Sequence, residues 1–445
     1  MPHVPHHQPE PIESVCVLGA GPSGLAVCKT LHEAGIPFDC FEANGSVGGI
    51  WDVEGGDRGG YRSLQTNTSK TKMAYADFPF SEDAPDFVGH AGMLDYFNAY
   101  TDHFGFRDRI RFNCPVSQVE PRAGGGWQVE LQDGSRHNYS ACIVATGQYG
   151  TQRWPDPGPP GRFDGQQMHA ADYLDPKAPI DCEDKRVVVV GLGSSAAEIA
   201  TELAGGAKGS GIAEHVTLSA RSGRYVLPKT FQGQPLDANA PHPSASLPSF
   251  LTWIPEALRI RLLQGFLKSA LGRIERKTGR PSKWNLPNPT FPPWAERPTL
   301  SDGFIQALED RRIEGRPEIA SFDGKTIEFV DSSVDEADLI IWATGYRPAF
   351  PFLSDAVLGC EASELKLYRR IAHPTQPGLF FIGYTRVICS LWPLSEQQSL
   401  WLAGVLKGSI ALPGRARQIH QAIKVSQALP VFCNAYVLDL RRDGA

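Results

Sequence analysis

Two glycine-rich turns in this chain have the residue types and spacing to hold nucleotide phosphates. Gly19-Ala20-Gly21-Pro22-Ser23-Gly24 follows the apolar run Val15–Leu18 and opens a helical stretch from Leu25 to Ala34. Glycine at the first place of such a turn permits a tight reversal. At the second it lets backbone approach a pyrophosphate, and at the third it lets helix and strand pack closely. The helix N-terminus then presents unpaired N–H groups and a partial positive charge. A lone G-x-G-x-x-G is weak evidence, because glycine-rich turns are common. Here a second apolar run, Phe38–Phe41, ends in Glu42, 23 residues past Gly19. A carboxylate in that place accepts both hydroxyls of an unphosphorylated ribose, so the first turn is expected to hold FAD. Gly48-Gly49-Ile50-Trp51 adds small residues against which a flavin ring could lie with Trp51 beside it. The same four residues would equally make a loop closed by a buried tryptophan.

Gly191-Leu192-Gly193-Ser194-Ser195-Ala196 repeats the pattern after Val187–Val190, with alanine in the third place. The next run, His215–Ser219, leads into Ala220-Arg221-Ser222-Gly223-Arg224 and carries no terminal acid. A guanidinium and a hydroxyl bind a 2′-phosphate through charge-assisted hydrogen bonds, where a carboxylate would repel it. The second turn is therefore expected to take NADPH in preference to NADH, with Arg221, Ser222 and Arg224 at the phosphate.

The elements that must position these turns are short and apolar on both faces, as in parallel sheets covered by helices. Two further runs end in one tripeptide: Cys142–Val144 before Ala145-Thr146-Gly147, and Leu339–Trp342 before Ala343-Thr344-Gly345. The order predicts an α/β fold with two Rossmann-like dinucleotide-binding domains, the NADPH domain inserted in the FAD domain. The expected bounds are 1–175 and 336–445 for the FAD domain and 176–335 for the NADPH domain. The linker 148–180 is rich in Pro and Gly and is expected to lack regular structure. The segment 226–300 is unlike a dinucleotide fold. It contains an amphipathic helix with an apolar stripe of Leu263, Phe266, Leu267, Ala270, Leu271 and Ile274. Its basic face (Arg261, Lys268, Arg273, Arg276, Lys277) suits either a helix docked on the protein or one lying on a membrane surface, and the docked reading is preferred.

At 445 residues the chain should hold two or three domains of ~150 residues each. Its 43 basic and 49 acidic residues give a net charge of −6, which argues against nucleic acid as a partner. Nine cysteines are scattered with no C-x-x-C pair and no metal-ligand spacing. That excludes a reductase built on a redox cysteine pair, predicts no metal, and suits a reducing cytosol. No stretch reaches the ~18 apolar residues of a membrane span, and His3, His6 and His7 are expected in a frayed tail.

Phe163-Asp164-Gly165-Gln166-Gln167-Met168-His169-Ala170-Ala171-Asp172-Tyr173 resembles the F-x-G-x-x-x-H-x-x-x-(Y/F) signature of the flavin-containing monooxygenases. Tyr61–Met73 followed by Asp77-Phe78-Pro79-Phe80, Val216–Pro228, Ala343–Tyr346 and Pro377–Gly404 are similar to other segments of that family, in the family's order. The resemblance implies that NADPH reduces FAD, that NADP⁺ stays bound, and that O₂ adds to give a C4a-hydroperoxyflavin. An amine nitrogen or a sulfide of a small-molecule substrate then takes one oxygen atom. It places Asn67, between Thr66 and Thr68, over the flavin as the catalytic residue. It gives His169 a structural or cofactor-facing role and sets Thr344 and Gly345 at a cofactor. Pro393–Gln398 reads as a helix start with an acidic first turn, whose N-terminus, with Glu396 and Gln398, faces the flavin. Leu174-Asp175 stand where the family often has lysine. Tyr173 stands where the related Baeyer–Villiger enzymes, which oxygenate ketones, have tryptophan; these and amino-acid N-hydroxylases are the alternatives. The chain ends without the apolar anchor of membrane-bound animal members, so a soluble protein is expected; with the cysteine pattern it is expected to be cytoplasmic, and a homodimer is the default expectation.

Overall fold

A computed structural model describes residues 14–55, 60–205, 211–245, 254, 256–293, 295–426 and 433–443. The histidines at 3, 6 and 7 lie outside these residues. Two five-stranded, all-parallel sheets form the framework. In the first the strand order is Leu379–Phe381, Ala141–Val144, Val15–Leu18, Phe38–Phe41, Ile110–Arg111. In the second it is Gln166–His169, Leu339–Trp342, Arg186–Val190, His215–Ser219, Glu314–Arg316. The strands at the centre of each sheet are buried along nearly their whole length, which is why their sequences are apolar without alternation.

The two halves repeat one construction. Each glycine turn leads into a helix, Pro22–Glu33 in the first and Ser194–Leu203 in the second. Each fingerprint strand is flanked by a strand ending in Ala-Thr-Gly. The Ala145 N–H donates to the carbonyl of Leu18 at 2.9 Å, and that of Ala343 to the carbonyl of Val190 at 2.8 Å. The glycine of the tripeptide is left-handed in both, with φ +85° at Gly147 and +88° at Gly345.

The linker departs from expectation. Gln166–His169 is an edge strand of the second sheet, in register with Leu339–Trp342, and Gly161–Phe163 joins a four-stranded sheet with Ile319–Gly324, Thr326–Phe329 and Val334–Glu336. The second sheet thus takes in strands on either side of the 176–335 segment, because hydrogen bonding across the sheet, not sequence proximity, selects them. In the insertion one long helix spans Glu256–Thr278. Its C-terminal half is docked, with Leu271 and Ile274 buried against Leu227. Phe266, expected on the same buried stripe, is 62% exposed, alongside exposed Leu258 and Leu262.

Cys389 and Cys433 form a disulfide with Cα atoms 6.3 Å apart, against the expectation of unpaired cysteines. It fastens the helix Cys433–Arg442 beside the helix Leu391–Leu406, and it removes the argument for a reducing compartment that an unpaired set supplied. Among the described residues no helix is long and apolar enough to cross a membrane.

Candidate active site

Two glycines of the first cradle leave no room for a side chain. Gly19 has φ +98°, a region that side chains with a Cβ rarely adopt. A Cβ on Gly24 would lie 1.9 Å from the Gly19 carbonyl oxygen. Pro22 starts the helix, where its missing N–H costs nothing, and the hydroxyl of Ser23 lies 2.9 Å from that of Ser395. Gly21 faces a second glycine turn: Gly48 and Gly49 are both left-handed, and a Cβ on Gly49 would come 3.2 Å from the Cα of Gly21. Glu42 is buried at the end of its strand and grips the turn. Its Oε2 accepts from the Ala20 N–H at 2.6 Å and its Oε1 from the Asn44 N–H at 2.9 Å. Ile50 is half-buried beside the turn. Trp51 points into the core, edge-on to Trp392 at 5.6 Å, so it closes the loop from within.

The second cradle opens outward. Gly191 has φ +135°, and a Cβ there would meet the Ala343 carbonyl oxygen at 2.4 Å. Gly193 precedes Ser194 and Ser195 at the helix N-terminus, and a Cβ on it would touch nothing within 4 Å. That leaves open space in front of unpaired helical N–H groups. Beyond the next strand, Ala220 is buried while Ser222 is exposed. The Arg221 side chain is 69% exposed, with only Glu318 at 3.9 Å as a loose partner among the described residues, so its guanidinium is available to a phosphate. Arg224 pairs with Glu296 at 2.8 Å.

Asn67 sits on a loop fastened to both domains. Thr66 is buried and exchanges two hydrogen bonds with Val88: its N–H donates to the carbonyl at 2.9 Å, and its hydroxyl accepts from the amide at 3.0 Å. At the loop's other end the Tyr61 hydroxyl donates to Glu198, and Ser63 donates to Glu202 at 2.7 Å, both on the second fingerprint helix. Thr68 is half-buried. The Asn67 carboxamide oxygen is buried with no hydrogen-bond partner among the described residues. A buried polar atom without a partner carries a free-energy cost of about 1–3 kcal/mol, and a bound cofactor offering a donor would remove it. The two phosphate cradles and this orphaned acceptor fit FAD and a nicotinamide nucleotide.

The sequence matches the model of the family "FMO-like: Flavin-binding monooxygenase-like" over residues 12–439. The chain belongs to this family. It is 32% identical over 419 residues to dimethylaniline monooxygenase (N-oxide-forming) 2 of Rattus norvegicus, covering 90% of this chain and 75% of that one. It is 33% identical over 430 residues to flavin-containing monooxygenase 1 of Homo sapiens, covering 92% and 76%. Among solved structures it is similar to S-allyl-L-cysteine S-oxygenase from Allium sativum, with a TM-score of 0.65, 21% identity and 97% and 88% coverage. A mutant cyclohexanone monooxygenase from Rhodococcus sp. Phi1 gives a TM-score of 0.70 at 18% identity, with 97% of each chain covered. The chain is a flavin monooxygenase, of a family that uses FAD and NADPH.

Several residues of this monooxygenase sit elsewhere than expected. The helix carrying Glu396 begins at Leu391, so Glu396 falls in its second turn and not its first. It is buried near Lys29 and Asp77 and accepts from the Ala76 N–H at 3.2 Å. Burial pushes its carboxyl up to about 7, and Asp77 adds to this. Gln398 is wholly engaged in structure, accepting from the Gly383 N–H at 3.0 Å and donating to Thr385 and Tyr436. His169 is buried at its strand end, its Nδ1 accepting from the Ala171 N–H at 3.0 Å and its ring 5.5 Å from Tyr346. Burial lowers its pKa below the usual histidine value. Thr344 donates to the Arg153 carbonyl and Gly345 accepts from the Arg153 N–H, which ties the return strand to the linker. Sequence reasoning missed the buried ion pair of Glu198 and Lys229 at 3.3 Å, and the hydrogen bond from Tyr173 to Glu202 at 2.8 Å. The signal available was an acidic residue on the buried alanine-rich face of the second helix, beside Ala197 and Ile199.

Proposed function

We propose that this chain is an NADPH- and O₂-dependent monooxygenase that inserts one oxygen atom into a soft nucleophile, an amine nitrogen or a sulfide sulfur. Bound FAD supplies the redox chemistry, taking hydride from NADPH and activating O₂. The chain's own residues supply binding, orientation and dryness. Gly19, Gly21 and Gly24 with Glu42 would hold FAD. Gly191, Gly193 and the N-terminus at Ser194 would hold the pyrophosphate of NADPH, with Arg221 and Ser222 at its 2′-phosphate. The observation that carries the reading is Asn67: a neutral amide whose buried acceptor lacks a partner, on a loop bonded to both nucleotide domains. A neutral amide can accept through its oxygen and donate through its nitrogen without adding charge, which suits a site where water must be kept out. The relatives named for N-oxide formation and the neighbour named for S-oxygenation support this substrate class.

Asn67→Ala tests it. The variant is expected to oxidise NADPH while most of the electrons appear as hydrogen peroxide and not as N-oxide or sulfoxide. Efficient product formation by the variant would remove Asn67 from this role.

A further inference from the structure

A cleft of about 180 Å³ lies where the two domains meet, lined by Gln148, Arg224, Glu296, Arg297, Arg386 and Val387. Gln148 follows the strand Ala141–Val144, and Arg386 and Val387 follow Leu379–Phe381, its neighbour in the first sheet. These are carboxyl ends of adjacent parallel strands, the edge at which open α/β sheets bind ligands. Gln148 is fixed there by donating to the Gly383 carbonyl at 2.8 Å and the Thr385 carbonyl at 3.2 Å. The second domain contributes the opposite wall. Arg297 donates from Nε to the Val387 carbonyl at 2.5 Å.

Charge in the cleft is unbalanced. Glu296 is the one carboxylate among its lining residues, and it already serves two cations: Arg224 at 2.8 Å and Arg386 at 3.4 Å. Among the described residues Arg297 has no carboxylate at ion-pair distance. Three guanidiniums against one carboxylate leave two positive charges converging in a chain whose net charge is −6. Arginine forks match carboxylate geometry. The cleft has room for a small charged group.

We infer that this cleft binds the carboxylate of an amino-acid-like substrate, so that the molecule oxygenated is a carboxylate-bearing thioether or amine. The inference rests on the proposed oxygenation, and names the class of nucleophile it acts on. A nucleotide phosphate is the other source of the same anionic chemistry, and the test separates the two.

The FAD-loaded enzyme and its Arg386→Gln variant would be assayed for sulfoxide formation from S-methylcysteine and from neutral thioanisole, with the KM for NADPH measured in each. The Arg386 side chain is 70% exposed, so the fold tolerates the change. The expected result is a loss of roughly tenfold or more in kcat/KM for S-methylcysteine, with thioanisole turnover and the NADPH KM unmoved. Equal losses for both thioethers would overturn the inference. A raised NADPH KM would give the cleft to the nucleotide. Calorimetric titration of S-methylcysteine into both proteins gives a readout independent of turnover. Binding that Arg386→Gln weakens, without sulfoxide from either thioether, would keep the anion site and sink the oxygenation reading. Oxygenation of thioanisole by a protein that does not bind S-methylcysteine would sink the anion site alone.

Discussion

The two nucleotide cradles share a backbone and differ in almost everything that touches it. The first is closed: Gly21 is backed by the Gly48-Gly49 turn, Gly24 is pressed onto the Gly19 carbonyl, and a buried carboxylate, Glu42, holds the Ala20 amide. The second is open: Gly193 faces empty space, the third place tolerates the methyl of Ala196, and the charge beyond the next strand is an exposed guanidinium. The fingerprint helices are also of opposite polarity inside. The first buries Lys29 near Glu396 and Asp77, and the second buries Glu198 against Lys229. One fold thus makes a tight socket and an accessible one by changing a handful of side chains.

The sharpest way to break this contrast is to exchange the third residues. Gly24→Ala places a Cβ against a backbone oxygen that cannot move away, at a cost of about 1–3 kcal/mol or more. The purified protein should lose its flavin absorbance. Ala196→Gly should cost only about 1 kcal/mol and keep the flavin; a coloured Gly24→Ala protein would refute the closed socket. The charge contrast is next. Arg221→Ala removes a charge-assisted contact worth about 1.5–3 kcal/mol, so kcat/KM for NADPH should fall roughly 10- to 150-fold while that for NADH stays level. Equal declines would show that Arg221 does not read the phosphate. The smallest effect concerns the buried acid of the first half. Because the folded state raises Glu396 from its ordinary 4.5 to about 7, its contribution to stability is full below pH 4.5. It is lost as pH climbs through 7. Glu396→Gln should therefore flatten the fall in melting temperature between pH 5 and pH 8, an effect of up to about 3 kcal/mol. Parallel profiles for the two proteins would show that Glu396 titrates normally.

Much of the framework was legible because its strands are short, apolar on both faces and stopped by glycine. Val15–Leu18, Phe38–Phe41 and His215–Ser219 fall where the sequence put them. Gln166–His169 was hidden because an edge strand needs little apolar surface, and Gln-Gln-Met-His carries none of the usual pattern. Pro393 read as a helix beginning, yet proline is tolerated anywhere in a first turn, and the helix starts two residues earlier. That offset moved Glu396 out of the first turn. The Cys389–Cys433 link joins residues 44 apart, a separation that no spacing rule announces. At the site, the charge of Arg221 could be read from residue type, whereas Asn67 was singled out only by the family resemblance. The anchoring of the Asn67 loop by Tyr61 could not, because it depends on where two separate cores meet.

That anchoring has a mechanical corollary. Tyr61 is packed in the core of the second domain while Met73 and Val88 belong to that of the first, and Leu64 touches both. A six-residue step from Tyr61 to Asn67 is therefore a drawbar coupled at each end to a different body. A shift of one core relative to the other would therefore load the short segment that carries Asn67.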